Sequence, residues 1–264
     1  MTWTEIEVLR QGRAGIVRFH RPQALNALTD QMLIETRSAM EPWTNDPDVV
    51  AIVLTGSDRA FCSGGDLKRT AQAVLAPYDK YRARFTMSAW HEFARFLYRY
   101  PRPVIAAVEG HCLGGGLEIA LICDMIVASD SARFGLTEAR FGVFPILGGA
   151  WSLAHAVGPR LAKELAYTGG KFDAARAHSI GLVNYVTPAT GALERAVELA
   201  AEIAECAPLS VTALKQAIDR GGRQSFEEAL TAGGELSALL MFSEDRAEGL
   251  RAFTEKRQPL FKGH

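Results

Sequence analysis

Two acidic residues lie among apolar neighbours in the middle of this chain. Glu118 interrupts the aliphatic run Leu117–Ile122, and Glu138 precedes Arg140 and the glycine-bearing loop Phe144–Gly149. Moving a carboxylate into apolar surroundings costs several kcal/mol unless the group is paired or neutral. We therefore expect each glutamate to be either catalytic or structural. The structural alternatives are a salt bridge or subunit contact for Glu118, and a pair with Arg140 or simple exposure for Glu138.

Two glycine-rich turns are the second feature with chemical potential. Ala60–Leu67 contains a glycine pair, Gly110–Glu118 contains a glycine triplet, and each follows an apolar run of strand length. Glycine permits positive φ and close approach of a ligand, and a helix start leaves free N–H groups. Two such turns side by side can direct two N–H groups at one oxygen, an oxyanion hole worth roughly 2.7–4 kcal/mol per donor. Neither turn fits a P-loop or a dinucleotide-binding motif.

Histidine and cysteine suggest no further chemistry. His111 and Cys112 lie beside the glycine triplet, but a nucleophilic set has no visible third member, so packing roles are expected. The four cysteines have no zinc-binding spacing; they are Cys62, Cys112, Cys123 and Cys206. We expect reduced thiols, no disulfide and no metal.

The overall composition limits the function classes. Of 264 residues, 48% are hydrophobic and 22% charged, which supports a large core. The formal net charge of −1 weighs against a protein that coats nucleic acid or an anionic membrane. No window approaches the ~20 apolar residues of a spanning helix, and Met1–Arg10 has no apolar signal core. We expect a cytoplasmic protein.

Strand-like and helix-like runs alternate along the first two thirds of the chain, which predicts an α/β fold. A helix is predicted over Leu28–Trp43, with Thr29 and Asp30 placed to cap it. The predicted strands are Ile16–His20, Val49–Leu54, Val104–Val108 and Met125–Ala128. Strand, glycine-bearing loop and helix start recur in this part, which indicates one supersecondary unit used several times. Beyond about residue 190 the apolar spacing becomes helical, so we predict a core over residues 1–190 and a helical subdomain over 191–264.

The segment Arg69–Arg102 is rich in basic residues. Its cations are Lys80, Arg82, Arg84, Arg95, Arg99 and Arg102, against the acids Asp79 and Glu92. A solvated basic face and contact with a phosphate-bearing ligand both fit this pattern. The stretch is the only support for a different function class, an RNA-binding or scaffold protein. Its aromatic residues, Trp90, Phe93 and Phe96, have the spacing of core or pocket residues rather than of a nucleobase platform.

Several segments together resemble a known family. Ala60–Leu67, Gly110–Asp124 and Phe134–Gly149 look like the three signature segments of the enoyl-CoA hydratase/isomerase family, or crotonase superfamily. Arg21–Leu28 resembles its N-terminal segment, and Glu244–Arg257 its C-terminal tail. The resemblance implies a crotonase-like spiral of repeated ββα units with a C-terminal helical trimerisation subdomain. It also implies a homotrimer or a homohexamer built as a dimer of trimers.

The resemblance further implies an acyl-coenzyme A substrate and assigns site residues. The backbone N–H groups that hold the thioester carbonyl map to Gly65 and Gly115. Residues at the family's CoA and substrate contacts are Ala24, Leu25, Ser63, Gly64, Gly65, Asp66, Leu67 and Lys68, with Phe253 and Lys256 in the tail reaching the CoA of a neighbouring subunit. An exposed helix lysine is the alternative for Lys256. Neither a nucleic acid nor a membrane is an expected partner, and no cofactor is expected because coenzyme A is part of the substrate.

Within this family the hydratase branch carries two glutamates, which map to Glu118 and Glu138. The implied reaction is syn-addition of water across the 2,3 double bond of a 2-enoyl-CoA, giving a 3-hydroxyacyl-CoA. Water activation is assigned mainly to Glu118 and protonation of C2 mainly to Glu138. The alternatives are a Δ3,Δ2-enoyl-CoA isomerase, which shuttles a proton with one glutamate, or another acyl-CoA reaction of the family. Ile146 and Leu147 replace the small residues common in hydratases, so the acyl pocket is expected to differ.

Overall fold

Apolar strands build the larger of two sheets in the computed structural model, which describes residues 2–68, 71, 80–222 and 224–264. Their side chains are almost all buried in the middle strands, as expected when both faces of a sheet are covered. The strands, in sheet order, are β1 (Ile6–Gln11), β2 (Ala14–Phe19), β3 (Ala51–Thr55), β5 (Val104–Val108), β7 (Met125–Ser129) and β10 (Tyr185–Thr187). The β1–β2 pair is antiparallel and all the others are parallel.

A second, smaller sheet carries the chain towards the site. Its strands, in order, are β4 (Ala60–Cys62), β6 (His111–Leu113), β8 (Arg133–Gly135) and β9 (Phe172–Asp173). The first three strands are parallel, and β9 runs antiparallel to β8. Because β3, β5 and β7 are each followed by one strand of this sheet, the predicted ββα repeat and crotonase-like fold are confirmed.

Ten helices pack around the sheets in the described part of the chain. They are α1 (Asp30–Met40), α2 (Lys80–Tyr98), α3 (Gly115–Ile122), α4 (Gly149–Val157), α5 (Pro159–Thr168), α6 (Ala174–Ser179), α7 (Ala192–Ala204), α8 (Pro208–Gly221), α9 (Phe226–Leu240) and α10 (Glu244–Glu255). Thr29 caps α1 as predicted, its hydroxyl accepting the N–H of Met32 at 3.1 Å. The helix predicted to reach Trp43 ends at Met40, where a short 3₁₀ turn containing Pro42 takes over.

The C-terminal helices divide into two groups by packing. Helix α7 lies on the larger sheet, where Ala196 and Leu199 join a buried cluster with Ile16 and Val53. Helices α8–α10 and the turn between α9 and α10 instead leave apolar side chains exposed on the single chain; among them are Leu214, Ile218, Phe226, Leu230, Leu239, Phe242, Leu250 and Phe253. The domain boundary at 190/191 stays a prediction.

The basic segment Arg69–Arg102 is described only in part. Arg69 and Asp79 lie outside the described residues, as do the side chains of Lys80, Arg82 and Arg84. Of the aromatic residues, Phe93 is buried and Trp90 and Phe96 are partly buried against the core. No helix among the described residues is both long enough and apolar enough to cross a membrane.

Candidate active site

The backbone around Gly65 is held by a two-bond bridge to the segment before α1. The N–H of Leu28 donates to the carbonyl of Gly64 at 2.8 Å, and the N–H of Asp66 donates to the carbonyl of Leu28 at 3.2 Å. In extended chain, the N–H of successive residues points to opposite sides. The N–H of Gly65 is therefore turned away from Leu28 and left free for another acceptor.

The second predicted donor lies directly beside the first. Gly115 begins α3, so its N–H belongs to the first turn and has no partner within the helix. A Cβ built on Gly115 would lie only 3.8 Å from the nitrogen of Gly65. In the described part of the chain neither amide donates a hydrogen bond to the protein. The two glycine turns thus bring two available donors together.

Glycine is required where these turns touch. Gly114 has φ of +51°, a conformation that side chains rarely adopt. A Cβ on Gly116 would meet the carbonyl oxygen of Cys62 at 2.3 Å. The close approach of α3 to β4, which sets the separation of the two donors, depends on the missing side chains.

The carboxylate of Glu118 lies inside the protein on the first two turns of α3. Its side chain is 2% exposed, and Oε1 accepts the N–H groups of Leu147 and Gly149, each at 2.8 Å. Burial and the charge of Glu138 raise the pKa of Glu118 to about 7, although these backbone donors favour the charged form. The salt-bridge alternative is not observed among the described residues, since both partners of Glu118 are backbone amides.

Glu138 faces the same region from a short 3₁₀ turn, Glu138–Phe141. It is 9% exposed, and among the described residues its Oε2 has no hydrogen-bond donor. A Cβ on Gly114 would lie 3.2 Å from Glu138 Oε1, which places the carboxyl group next to the Gly115 amide. Burial raises the pKa of Glu138. Among the described residues Arg140 forms no ion pair with Glu138; its Nε donates to the carbonyl of Thr168 at 3.0 Å.

The site brings two hydrogen-bond-donating amides and two carboxyl groups capable of acid–base chemistry close together. The two amides can stabilise negative charge on an oxygen. The two carboxyl groups, each with a pKa raised by burial, can exchange protons with a bound molecule. The unsatisfied Oε2 of Glu138 shows where such a molecule would bind.

Comparison with known proteins identifies the relatives of this chain. Residues 11–264 match the model of the enoyl-CoA hydratase/isomerase family. The chain belongs to the enoyl-CoA hydratase/isomerase family. It is 40% identical to a probable enoyl-CoA hydratase of Mycobacterium tuberculosis, covering 99% of both chains. It is 39% identical to 2,3-dehydroadipyl-CoA hydratase of Escherichia coli, over 98% of this chain and 99% of the relative.

A solved structure has the same fold as this protein along nearly its full length. The crystal structure of enoyl-CoA hydratase from Bacillus anthracis superposes with a TM-score of 0.92 at 33% sequence identity. The match covers 99% of this chain and 100% of that one. The family predicted from the signature segments is therefore confirmed.

The residues predicted to contact CoA form two separate groups in this protein, one near Gly65 and one in the C-terminal tail. Ser63 joins the two loops of the first group, because its N–H donates to the carbonyl of Leu25 at 3.1 Å and its hydroxyl to that of Ala24 at 3.4 Å. Leu67 and Lys68 follow this loop in helical conformation and are exposed. The bonds of Ser63 thus hold Ala24 and Leu25 next to Ser63–Lys68, so that these residues form the first group, beside the Gly65 amide.

The tail residues form the second group. Phe253 is 85% exposed on α10, and Lys256 follows that helix with φ of +54°. Within a single chain, no contact among the described residues joins Phe253 or Lys256 to the first group. Their predicted contact with the CoA of a neighbouring subunit stays a prediction.

Two residues that support the site were not singled out from the sequence. Asn26 is buried with φ of +54°; its Oδ1 accepts the N–H of Arg21 and its Nδ2 donates to the carbonyl of Ala60, both at 2.8 Å. The second is Arg21 itself, whose side chain reaches Asp66. The available signal was an asparagine, a residue that tolerates positive φ, in a loop flanked by proline. Cys112 is buried in the core, and no described contact links it or His111 to a third catalytic group.

Proposed function

We propose that this protein is an enoyl-CoA hydratase. It adds water across the 2,3 double bond of a 2-enoyl-CoA thioester, with the hydroxyl going to C3 and a proton to C2. The observation that carries this proposal is the pairing of two free amides, Gly65 and Gly115, with two buried carboxyl groups, Glu118 and Glu138. The relatives named enoyl-CoA hydratase support the same reaction.

The two amides would bind the thioester carbonyl oxygen. As water adds to C3, negative charge moves through the conjugated system onto this oxygen, and N–H donors already in place stabilise it without reorganisation. Each donor of this kind is worth roughly 2.7–4 kcal/mol in known enzymes. The carbonyl contact thereby makes C3 electrophilic and stabilises the enolate that follows.

The surroundings of the two glutamates favour different protonation states. Two backbone N–H groups bond Glu118 Oε1 and stabilise its charged form, so Glu118 acts as the base toward water. Burial raises the pKa of Glu138, and its Oε2 has no donor among the described residues, so we assign delivery of the proton at C2 to Glu138. The two carboxyl groups titrate as a coupled pair, and one proton shared between them is enough for this role. After the addition Glu118 holds the proton taken from water and Glu138 has lost one, so the proton count of the pair is unchanged. A proton passes from Glu118 to Glu138, directly or through the next bound water, before the next turnover.

This mechanism requires neither a metal nor a redox cofactor, since no electrons are transferred and the amides polarise the carbonyl. We expect the hydration rate to survive dialysis against a chelator unchanged. A loss of activity that Mg²⁺ or Zn²⁺ restores would contradict this part of the proposal.

The acyl-CoA is expected to bind in an oligomer, and we propose a homotrimer or a dimer of trimers in the cytoplasm. The exposed apolar side chains of α8–α10 support association, since their contiguous burial between subunits would remove them from water. Mass measured by analytical ultracentrifugation tests the assembly. A monomer at micromolar concentration would contradict it.

The decisive experiment offers the enzyme crotonyl-CoA, a longer enoyl-CoA, an aromatic enoyl-CoA, 2,3-dehydroadipyl-CoA and a 3-enoyl-CoA. Hydration removes the absorbance of the conjugated enoyl thioester, whereas isomerisation of the 3-enoyl substrate creates it. We expect hydration of at least one 2-enoyl substrate, and at least a ~10²-fold loss in either Glu118→Ala or Glu138→Gln. If Glu118→Ala keeps isomerisation while no 2-enoyl-CoA is hydrated, the isomerase alternative holds instead.

A further inference from the structure

Arg21 lies at the base of the loop that carries the Gly65 amide. Its side chain is only 15% exposed, and Nη1 donates to the carbonyl oxygen of Ala27. Nη2 donates to Asp66 Oδ2 at 3.0 Å, and Nε lies 3.3 Å from Glu5 Oε1. The guanidinium thus contacts the chain on both sides of the bridge that holds Gly65.

These contacts continue through two peptide units. The carbonyl of Ala27 and the N–H of Leu28 belong to one unit, and that N–H donates to the carbonyl of Gly64 at 2.8 Å. The carbonyl of Gly64 and the N–H of Gly65 belong to the next unit. A continuous hydrogen-bond chain therefore runs from the Arg21 guanidinium to the Gly65 donor.

Hydrogen bonds in series polarise one another, by about 10–30% per bond, and charged donors give stronger bonds than neutral ones. We propose that Arg21 is a positioning residue that polarises and orients the Gly65 N–H, so that this amide is a stronger donor to the thioester oxygen. This inference rests on the proposed function. Asp66 and Glu5 offset the charge of Arg21 at longer range, so the effect is carried by the direct bond to the Ala27 carbonyl.

The other donor is polarised by different means, which explains why one arginine serves only one of them. The carbonyl of Gly114 belongs to the peptide unit of the Gly115 N–H, and it accepts the N–H of Glu118 at 3.0 Å. Helix α3 therefore supplies the polarisation at Gly115 through its aligned peptide dipoles. Gly65 lies in an extended segment, where strand dipoles nearly cancel.

The test uses a spectroscopic signal from the carbonyl itself. An aromatic 2-enoyl-CoA with an electron-donating para substituent absorbs at longer wavelength when donors pull electron density onto its carbonyl oxygen. The shift is measured per bound molecule, with binding titrated directly, in a Glu118→Gln background that blocks turnover. We expect Arg21→Gln to lose at least half of the wild-type red shift and Arg21→Lys to lose less.

A second variant separates polarisation from simple clamping. Asp66→Asn keeps the backbone bridge and the Arg21–Ala27 bond but removes a carboxylate that offsets the guanidinium, so the full red shift is expected. Arg18→Gln is the matched control, because Arg18 forms an ion pair with Glu7 at 3.1 Å away from the loop. Without the Glu118→Gln background, Arg21→Gln is expected to lower kcat about tenfold and to change KM less.

The outcomes are distinct. A full red shift in Arg21→Gln, an Asp66→Asn loss as large as that of Arg21→Gln, or an equal loss in Arg18→Gln would each overturn the role of Arg21. Should Arg21→Gln fail to fold, Arg21→Lys takes its place: a partial loss of the red shift is expected, and a full red shift would overturn the role of Arg21. Absence of any red shift in the unsubstituted Arg21 enzyme would instead overturn the proposed function.

Discussion

The N–H of Gly149, the first residue of α4, donates to Oε1 of Glu118 at 2.8 Å. The catalytic base we propose is therefore held by the start of a neighbouring helix rather than by a cation. Such a contact orients the carboxylate while leaving it able to take up a proton, because a helix N-terminus carries only a fraction of a unit charge.

A methyl group at Gly149 should misplace this carboxylate. Its Cβ would lie 2.6 Å from Glu118 Cγ, whereas a Cβ on the helical Gly221 meets nothing within 4 Å. We expect Gly149→Ala to lower kcat about 10²-fold, since a displacement near 1 Å has that effect in well-ordered sites. Gly221→Ala is the control and should keep full activity. Equal steady-state kinetics for the two variants would contradict the orienting role of Gly149.

The rate of hydration should depend on the ionisation of Glu118. Its pKa is raised to about 7, and the base must be charged to accept a proton. We expect kcat/KM to fall tenfold per pH unit as pH drops below about 7, while the far-ultraviolet circular dichroism stays constant. A kcat/KM that is level from about pH 8 to pH 5 would show that Glu118 is not the titrating base.

The ionisation of Glu118 should lower the stability of the fold as pH rises, whereas it should raise the rate of hydration. The pKa of Glu118 is higher in the folded protein than in the unfolded chain, so folding is favoured below pH ~4.5 and that advantage is lost as pH rises through about 7. Glu118→Gln removes the charge and keeps an acceptor for the two amides. We expect it to be more stable than the wild type by roughly 3 kcal/mol at pH 8, and by little at pH 5. Denaturant titrations at both pH values measure this; a constant difference would contradict it.

The tail lysine should act on the nucleotide end of the substrate. If Lys256 binds a CoA phosphate across a subunit boundary, Lys256→Ala should raise KM for crotonyl-CoA about fivefold or more and leave kcat nearly unchanged. The same variant should not affect crotonyl-pantetheine, which lacks the nucleotide. Lys163→Ala on α5 is the control for loss of one exposed positive charge. An equal effect on both thioesters would refute the phosphate contact.

Much of the scaffold was predictable because its strands are continuous apolar runs. Val104–Val108 was predicted to the residue, since every side chain in β5 is buried and the pattern has no competing period. The helix over Leu28–Trp43 was predicted too long, because Pro42 permits a 3₁₀ turn whose apolar Trp43 still packs on the core.

The site was predictable only in part from local pattern. The resemblance pointed to Gly65 and Gly115, but their adjacency depends on parallel pairing of β4 and β6 across about 50 residues of chain. The contacts from Leu147 and Gly149 to Glu118, and from Arg21 to Asp66 beside Gly65, join segments whose spacing carries no periodic signal. Such contacts are set by tertiary packing, which one sequence does not encode locally.

Gly115 and Glu118 lie three residues apart on α3, and a helix rises about 4.5 Å over that length. The geometry of one helical turn thus fixes the distance between the backbone of the carbonyl-binding amide and that of the proposed base, whatever the conformation of the neighbouring loops. The loop that carries Leu147 lies outside α3 and is free of that constraint. New acyl groups can accordingly be accommodated during divergence without resetting the geometry at C1 and C3.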